Sequence, residues 1–446
     1  MGLIENFLQN RARKSRRRSR HKLKATTRRA ALGTRTEPDL SGLRQRVTLR
    51  VADEPDLEER LVALREAFTP TRPQRSYKRL AGRKPELTRI FHAITQQRAH
   101  VVLYGERGRG KTSLVNLVAS SARSSGYMVA RYSCTFDSDF EEIIRGLARD
   151  LPKPLLAAPV VQDPLLDGCE SALPHSKVYP RDVAMLPGRL AGGHLLLIID
   201  EFDRVTDDET RTRIADTIKQ SSDRGTSLSF MLVGVSDSLE ELLGRHPSIQ
   251  RNIVGVPIPL LSQAEVEAII DIGSQDARVE FPMEVRRLIM KIACGVPYIV
   301  QLLGLHAGER ALRRGATTVD QQDILGAIQQ SVLEIDPRVA VLYSALTKGG
   351  EDANLCHLLY AVATGKQDQF GRFLVQDMVT EMIVAGQRFS HQDWQRLTDA
   401  GVLRPCRGAG FGLYTFAEPM LPHYVLLRAT GYGLPRIKRK ETGVFT

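Results

Sequence analysis

Short apolar runs separated by amphipathic stretches dominate residues 77–260. Five of these runs have the length of buried strands: Val101–Tyr104, Tyr127–Ser133, Leu195–Ile199, Ser229–Val233 and Ile253–Ile258. Between them, apolar residues recur at helical spacing, as Leu87, Ile90 and Ile94 do ahead of the first run. This alternation predicts a parallel α/β sheet with covering helices.

The pattern becomes helical after the sheet. Residues 261–335 open with a capping box, Ser262–Glu265, and contain no strand signal, so they predict a separate helical lid. Residues 336–430 close with a helix capped by Ser390, two short strand runs around a glycine-rich turn, and a further apolar helix. That order predicts a winged helix-turn-helix domain.

The remaining segments lack a continuous pattern. Residues 1–76 read as a basic tail and linker, apart from a helical stretch at Glu54–Phe68, and residues 431–446 form a second basic tail. Residues 151–194 contain seven prolines between the second and third strands. Because long loops are uncommon inside compact domains, we interpret this stretch as an insertion on the surface of the sheet.

The most specific motif follows the first strand. It fits G-x-x-x-x-G-K-[ST], the loop whose backbone N–H groups cradle nucleotide phosphates. A plain glycine-rich turn is the alternative, but a strand precedes the motif and a helical pattern follows it. Lys111 is expected to reach the outer phosphates and Thr112 to bind Mg²⁺. The predicted nucleotide-contacting residues of this segment are Gly105, Arg107, Gly108, Arg109, Gly110, Lys111, Thr112 and Ser113.

Two carboxylates follow the most apolar strand run. Asp200 and Glu201 end the segment His194–Glu201, where ligands bind in open α/β sheets. Asp200 is expected to hold Mg²⁺, and Glu201 to act as general base on a water molecule. Acids after a strand also serve as helix caps, but a phosphate loop upstream favours the catalytic interpretation.

Composition narrows the class of protein. With 446 residues the chain can hold two or three domains, and its apolar runs are too short to span a bilayer. Five scattered cysteines form no C-x-x-C pair, which favours free thiols in the cytoplasm over a zinc site or disulfide framework.

Positive charge is concentrated near the N-terminus. Residues 11–30 hold eleven lysines and arginines and no acid, and removing these from the formal net charge of +12 leaves +1 for the remainder. Such a run suits a phosphate backbone or an anionic membrane surface. We favour non-specific contact with DNA, while a solvated tail and a transit peptide remain alternatives.

Taken together, these residues resemble the AAA+ ATPases of the origin-recognition and helicase-loader type, a set that includes STAND-like signalling ATPases. The resemblance covers about residues 77–430. It implies a P-loop NTPase (AAA+) parallel sheet with a helical lid and a C-terminal winged helix, ATP and Mg²⁺ as cofactors, and a homo-oligomer. It further implies that Gly82 and Arg83 lie against the nucleotide base, and that Ser236, followed by Asp237, is the sensor 1 residue.

The resemblance also assigns an arginine finger and exposes one departure. Arg251 resembles the finger that a subunit donates to its neighbour, with Arg245 as the alternative and an ordinary surface arginine as a third interpretation. Where many loaders have a sensor 2 arginine, this chain has Pro297 and Tyr298, as in the STAND group. Slow hydrolysis is therefore expected.

Two functions fit the sequence. The first is an ATP-dependent switch that acts on or near DNA through the winged helix and the basic tail. The second is a signalling or defence regulator whose winged helix contacts proteins, favoured by Asp393 and Asp399 on the candidate recognition helix, which would repel phosphates. A nucleotide-gated scaffold without useful turnover is a third.

Overall fold

The computed structural model describes residues 55–73, 81–157, 160, 165–191, 193–236, 238–243, 247–384, 389–406 and 412–435. The basic tail at residues 11–30, Asp237, Arg245, the turn at 408–410 and the basic segment 436–440 lie outside these residues. Within the described ranges, no helix is both long and apolar enough to cross a membrane.

A five-stranded parallel sheet forms the centre of the first unit, as the sequence predicts. Its order is β2-β3-β4-β1-β5. The strands are β1 (His100–Tyr104), β2 (Met128–Ser133), β3 (Leu195–Asp200), β4 (Leu228–Gly234) and β5 (Ile253–Pro257). All five predicted strands are confirmed to within one residue at each end. Both β3 and β4 are buried along their whole length, which explains why their sequences are apolar without alternation.

Helices cover both faces of this sheet. They are α2 (Lys84–Thr95), α3 (Lys111–Ser124), α4 (Phe140–Asp150), α5 (Pro180–Ala184), α6 (Asp208–Asp223) and α7 (Leu239–Leu243). Apolar residues of α2 and α3 pack with Leu196 and Ile198 on one face. Those of α4 and α6 pack with Leu195, Leu197 and Ile199 on the other. Successive residues of β3 therefore serve opposite layers, as strand geometry requires.

The proline-rich stretch is more ordered than a surface insertion needs to be. It contains α5 and short 3₁₀ helices at Glu170–Ala172 and Leu186–Arg189. Leu173, Val178 and Val183 are buried in the core on the α4 and α6 side of the sheet. The apolar residues between the prolines thus extend this layer of the domain.

Four helices form the lid: α8 (Gln263–Ala277), α9 (Met283–Ala293), α10 (Pro297–Arg313) and α11 (Gln321–Glu334). The predicted capping box is present at the start of α8, where the Ser262 and Glu265 side chains each accept the other's backbone N–H. Ahead of the sheet, α1 (Pro55–Ala67) packs against α8 and α10. The helical stretch in the predicted linker is thus part of the lid.

Phe68 joins α1 to this lid. Its ring is fully buried and meets Phe281 edge-on, with centroids 5.9 Å apart. The ring fills a space beside Gly273 and Gly304. A Cβ would lie 2.1 Å from the ring at Gly273 and 2.5 Å from it at Gly304.

We expect Phe68→Ala to lower the free energy of unfolding by about 3–5 kcal/mol, because it leaves a cavity between three helices. Urea unfolding followed by circular dichroism measures this loss. Val62→Ala on the same helix removes a half-exposed side chain and should have little effect. If Phe68→Ala lowers the free energy of unfolding no more than Val62→Ala does, α1 does not stabilise the lid through Phe68.

The C-terminal unit begins with two helices, contains a small antiparallel sheet of order β6-β8-β7 and ends with a helix. Its elements are α12 (Pro337–Thr347), α13 (Ala353–Thr364), β6 (Phe373–Leu374), α14 (Val375–Val384), α15 (His391–Asp399), β7 (Leu403–Pro405), β8 (Leu413–Phe416) and α16 (Leu421–Tyr432). The predicted Ser390 cap of α15 is present. Because α16 packs on α11, this unit and the lid share one hydrophobic core.

Candidate functional site

The phosphate loop connects β1 to α3 at the carboxyl edge of the sheet. Gly105, Gly108 and Gly110 have φ values of 147°, 82° and 88°, which are accessible to glycine at little cost. Gly110 occupies the N-cap of α3. The backbone N–H groups at the start of α3 therefore stand beside the loop, with the positive end of the helix dipole.

Lys111 lies over this loop. Its Nζ donates to the carbonyl oxygens of Gly105 at 2.7 Å and Glu106 at 2.9 Å. Burial lowers the pKa of Lys111 to about 8, although the carboxylates of Asp203 and Asp200 act in the opposite direction. Phosphate oxygens could replace the two carbonyls as acceptors, so the side chain is already placed for an anionic ligand.

Asp200 ends β3 beside the loop and is buried. One carboxylate oxygen accepts the backbone N–H of Glu201 at 2.9 Å, and the other pairs with the guanidinium of Arg131 on β2. Arg131 also donates to the side-chain oxygen of Asn116 on α3 at 2.7 Å. The sequence analysis missed Arg131, since a lone arginine in a strand gives no signal of its own.

Glu201 occupies a left-handed conformation with φ of 55°. Its side chain is about half exposed and pairs with Arg204 at 3.1 Å. The strand thus delivers two adjacent acids to different environments, one buried and one open to solvent. A water molecule can reach only the second without displacing protein groups.

Asp203 is a third acid at this edge that the sequence analysis did not select. Its carboxylate accepts the backbone N–H of Val235 at 2.8 Å, tying the end of β3 to the end of β4. Among the charges that act on Lys111 it has the largest effect. The sequence signal that could have identified Asp203 is its position three residues after Asp200.

Nearby, burial raises the pKa of the Cys134 thiol to about 12, so that this group stays neutral.

Arg83 and Arg109 bind protein groups instead of facing open space. Arg109 is buried and donates to the Ile258 carbonyl at 3.1 Å and the Phe370 carbonyl at 2.7 Å. Arg83 in turn donates to the carbonyl oxygen of Arg109 at 3.2 Å. Both side chains therefore hold the loop through backbone carbonyls, and their predicted contact with nucleotide stays a prediction.

Gly82 connects the same region to the lid. It has φ of 74°, and a Cβ there would overlap the carboxylate of Glu265. That carboxylate accepts the backbone N–H of Arg83 at 3.1 Å. The segment predicted to lie against the base thus joins the loop to the capping box of α8.

The other predicted residues vary in exposure. Thr112 and Ser113 are half-buried at the start of α3, while Arg107 is exposed. Ser236 is buried, and its hydroxyl donates to the carbonyl of Ser238 at 2.6 Å. This hydrogen bond stabilises the turn before α7. Arg251 is exposed near the end of the 3₁₀ helix that precedes β5. Among the described residues it forms no ion pair.

The start of α10 lies on the phosphate loop. Pro297 is its first residue, and a Cβ at Gly108 would contact Val296 at 3.5 Å and Tyr298 at 3.9 Å. Met420 of the C-terminal unit would lie 3.4 Å from the same point. A cleft opens beside this junction, with walls from the loop, the lid and the C-terminal unit, including Arg107, Leu260, Val296, Thr415 and His423.

The oxygen donors at this edge suit Mg²⁺. Thr112 offers a hydroxyl and Asp200 a carboxylate, and Mg²⁺ prefers one or two such ligands together with waters and nucleotide phosphates. The donor set therefore fits the ion, although Asp200 is already paired with Arg131.

The sheet order, the phosphate loop after β1 and the acids after β3 define a P-loop AAA+ fold. A family model described as "AAA domain" matches residues 94–243. No curated protein sequence matches the chain.

Three solved structures that resemble this chain share little sequence with it. The Walker-type ATPase PABY2304 of Pyrococcus abyssi has 16% identity and a TM-score of 0.50, over 80% of this chain and 99% of that one. The ORC1 protein of Aeropyrum pernix, solved in complex with DNA, has 17% identity and a TM-score of 0.43, over 82% and 96%. The Holliday junction branch migration motor RuvB of Thermotoga maritima has 17% identity and a TM-score of 0.40, over 78% and 97%.

Proposed function

We propose that this protein is an ATP-binding molecular switch that hydrolyses ATP slowly and acts on or near DNA. The observation that carries the proposal is the convergence of the phosphate loop, Lys111 and the acids after β3 at one edge of the sheet. The C-terminal unit contacts the loop at this edge through the Phe370 carbonyl, which accepts from Arg109, and Val296 of the lid lies near Gly108. Bound nucleotide can therefore influence how these units pack.

Each residue has a proposed part in hydrolysis. Lys111 would bind the outer phosphates, and Thr112 and Asp200 would hold Mg²⁺, which would neutralise charge on the phosphates. Glu201, the solvent-exposed acid, orients the attacking water and accepts its proton. Ser236 would approach the γ-phosphate only after its hydroxyl leaves the Ser238 carbonyl.

Slow turnover follows from three features. The start of α10 supplies Pro297 and Tyr298 where a sensor 2 arginine would add positive charge. Asp200 is paired with a protein cation, and the Ser236 hydroxyl is engaged in its turn. The phosphates can be fully surrounded by catalytic groups only after the Asp200 ion pair and the Ser236 hydrogen bond are broken. This requirement favours a switch over a rapid hydrolase.

Arg251 is the proposed arginine finger of a neighbouring subunit in a homo-oligomer. Its exposure supports this role. Arg251→Ala and Lys111→Ala should each be inactive alone, but a mixture should regain part of the turnover, because each supplies what the other lacks. Phosphate release measures this, with Arg287→Ala on α9 as the exposed control. No recovery in the mixture would favour a monomeric switch.

Residues 336–430 are proposed to be a winged helix that contacts DNA. The order α13-β6-α14-α15-β7-β8 supports this reading, with α15 as the recognition helix and the β7–β8 hairpin as the wing. The basic residues 11–30 would add salt-sensitive affinity for phosphate backbones. A cytoplasmic location suits this function and the five free thiols.

Deleting residues 1–30 should weaken binding to arbitrary duplex DNA and flatten its salt dependence. Each phosphate contact contributes roughly −0.9 to the slope of log affinity against log salt. Titration at several salt concentrations measures the slope, and replacing only Arg16, Arg17 and Arg18 by glutamine should give an intermediate value. ATP affinity, measured in parallel, should stay unchanged. Equal slopes would exclude DNA contact by this segment.

A second candidate is a signalling or defence regulator whose C-terminal unit contacts proteins. Asp393 and Asp399 at the two ends of α15 favour it, since they would repel phosphates. Full-length protein that binds no DNA at low salt, yet binds ATP, would support this alternative over the first.

A further inference from the structure

Arg131 is held at the metal-binding edge by three elements. It lies on β2, opposite Ile198 of β3 in the parallel register. Its backbone N–H donates to Asp150 at the end of α4 at 2.8 Å, while its guanidinium reaches both Asn116 on α3 and Asp200. These bonds hold Arg131 against Asp200 when no ligand is bound.

This arrangement leaves neither acid of the pair after β3 without a cation. Asp200 pairs with Arg131, and Glu201 pairs with Arg204 at 3.1 Å. Lys111 adds a further positive charge beside them. A divalent ion that approaches Asp200 therefore meets a carboxylate whose charge is already balanced, and it is repelled by the guanidinium at short range.

We propose that Arg131 competes with Mg²⁺ for Asp200, so that this protein binds nucleotide with little help from the metal. The Arg131 guanidinium must release Asp200 before this carboxylate could bind the metal, and that release is a separate step between nucleotide binding and hydrolysis. The inference rests on the proposed function, because it concerns the same nucleotide site. In this proposal Arg131 does not contact ATP. It is a positioning residue that controls whether Asp200 can bind the metal.

Arg131→Gln tests this directly. Glutamine can keep a hydrogen bond to Asn116 but leaves Asp200 unpaired. ADP alone should then bind less tightly, and Mg²⁺ should restore binding by neutralising the free carboxylate. The quantity to compare is the ratio of the ADP Kd in EDTA to the Kd in excess Mg²⁺, measured by titration calorimetry on the full chain.

In the wild type we expect this ratio to stay within about threefold of unity, and in Arg131→Gln to rise at least about tenfold, as loss of a contacting charge implies. Arg131→Lys keeps the positive charge and should stay near the wild type. Arg123→Gln is the matched control, because Arg123 donates to the Val129 carbonyl of the same strand and pairs with no acid among the described residues.

Equal ratios in the wild type and Arg131→Gln would overturn the proposal, as would a wild-type ratio that already exceeds tenfold. If Arg131→Gln does not fold, Asn116→Ala decides the matter: it removes a support of the guanidinium and must raise the ratio, and an unchanged ratio overturns the idea. A wild type that binds ADP under neither condition contradicts the proposed function itself, which separates the two failures.

Discussion

Lys111→Ala is expected to reduce ATP and ADP affinity about ten- to a hundredfold. The wild-type ammonium already sits over the loop with two carbonyl acceptors, and a charged hydrogen bond contributes about 1.5–3 kcal/mol. Calorimetry measures the loss, and the exposed Lys219→Ala on α6 is the control. Binding that survives unchanged would mean that this loop is not the phosphate site.

The same lysine predicts a pH dependence. Because burial holds its pKa at about 8, the side chain loses its charge as pH rises through that value. Only the protonated form attracts phosphate, so wild-type affinity should fall between pH 7 and pH 9. The charged groups around it are Asp203, Arg109, Asp200 and Glu106. Lys111→Ala should show no such fall, and a flat wild-type profile would contradict the assignment.

Glu201→Gln is expected to retain ATP binding and to lower turnover at least about a hundredfold, since a general base contributes 10²–10⁴-fold. The substitution is isosteric and the side chain is half exposed, so the fold should be unaffected. Phosphate release in single-turnover conditions measures the rate, and calorimetry the affinity. Glutamine matches the size of Glu201 but cannot accept a proton, so a loss of rate would identify this carboxylate as the base.

Glu209→Gln on the first turn of α6 is the matched control, because that acid is exposed and lies beyond the 3₁₀ turn that follows Glu201. It should turn over ATP at the wild-type rate. If Glu201→Gln does so too, another group must activate the water, and Asp203 is the carboxylate to test next.

The strands and the loop were predictable because local sequence determines them. Both β3 and β4 are buried on two faces, so their residues must be apolar throughout, and runs of this kind can be read directly. The glycines at 105, 108 and 110 occupy backbone conformations that other residues adopt at a cost. The predicted cap at Ser390 and the capping box at Ser262 are likewise local, and both are present.

The environment of each site residue was not predictable in this way. Arg109 fits the motif as a variable position, yet its guanidinium binds carbonyls that are 149 and 261 residues away in the chain. Helix α1 was read within a linker, but glycines on two distant helices make room for Phe68. Such contacts depend on the packing of separate elements, and no sequence period records them.

The sequence by itself therefore determined the sheet, the phosphate loop and the acids after β3, because periodicity and backbone chemistry act over a few residues. Only the tertiary structure decided which of these groups are free. It paired Asp200 with Arg131, turned Arg83 and Arg109 toward the protein, and brought the C-terminal unit onto the loop. Those outcomes follow from burial, where a charge must find a partner among whatever elements the fold brings near it.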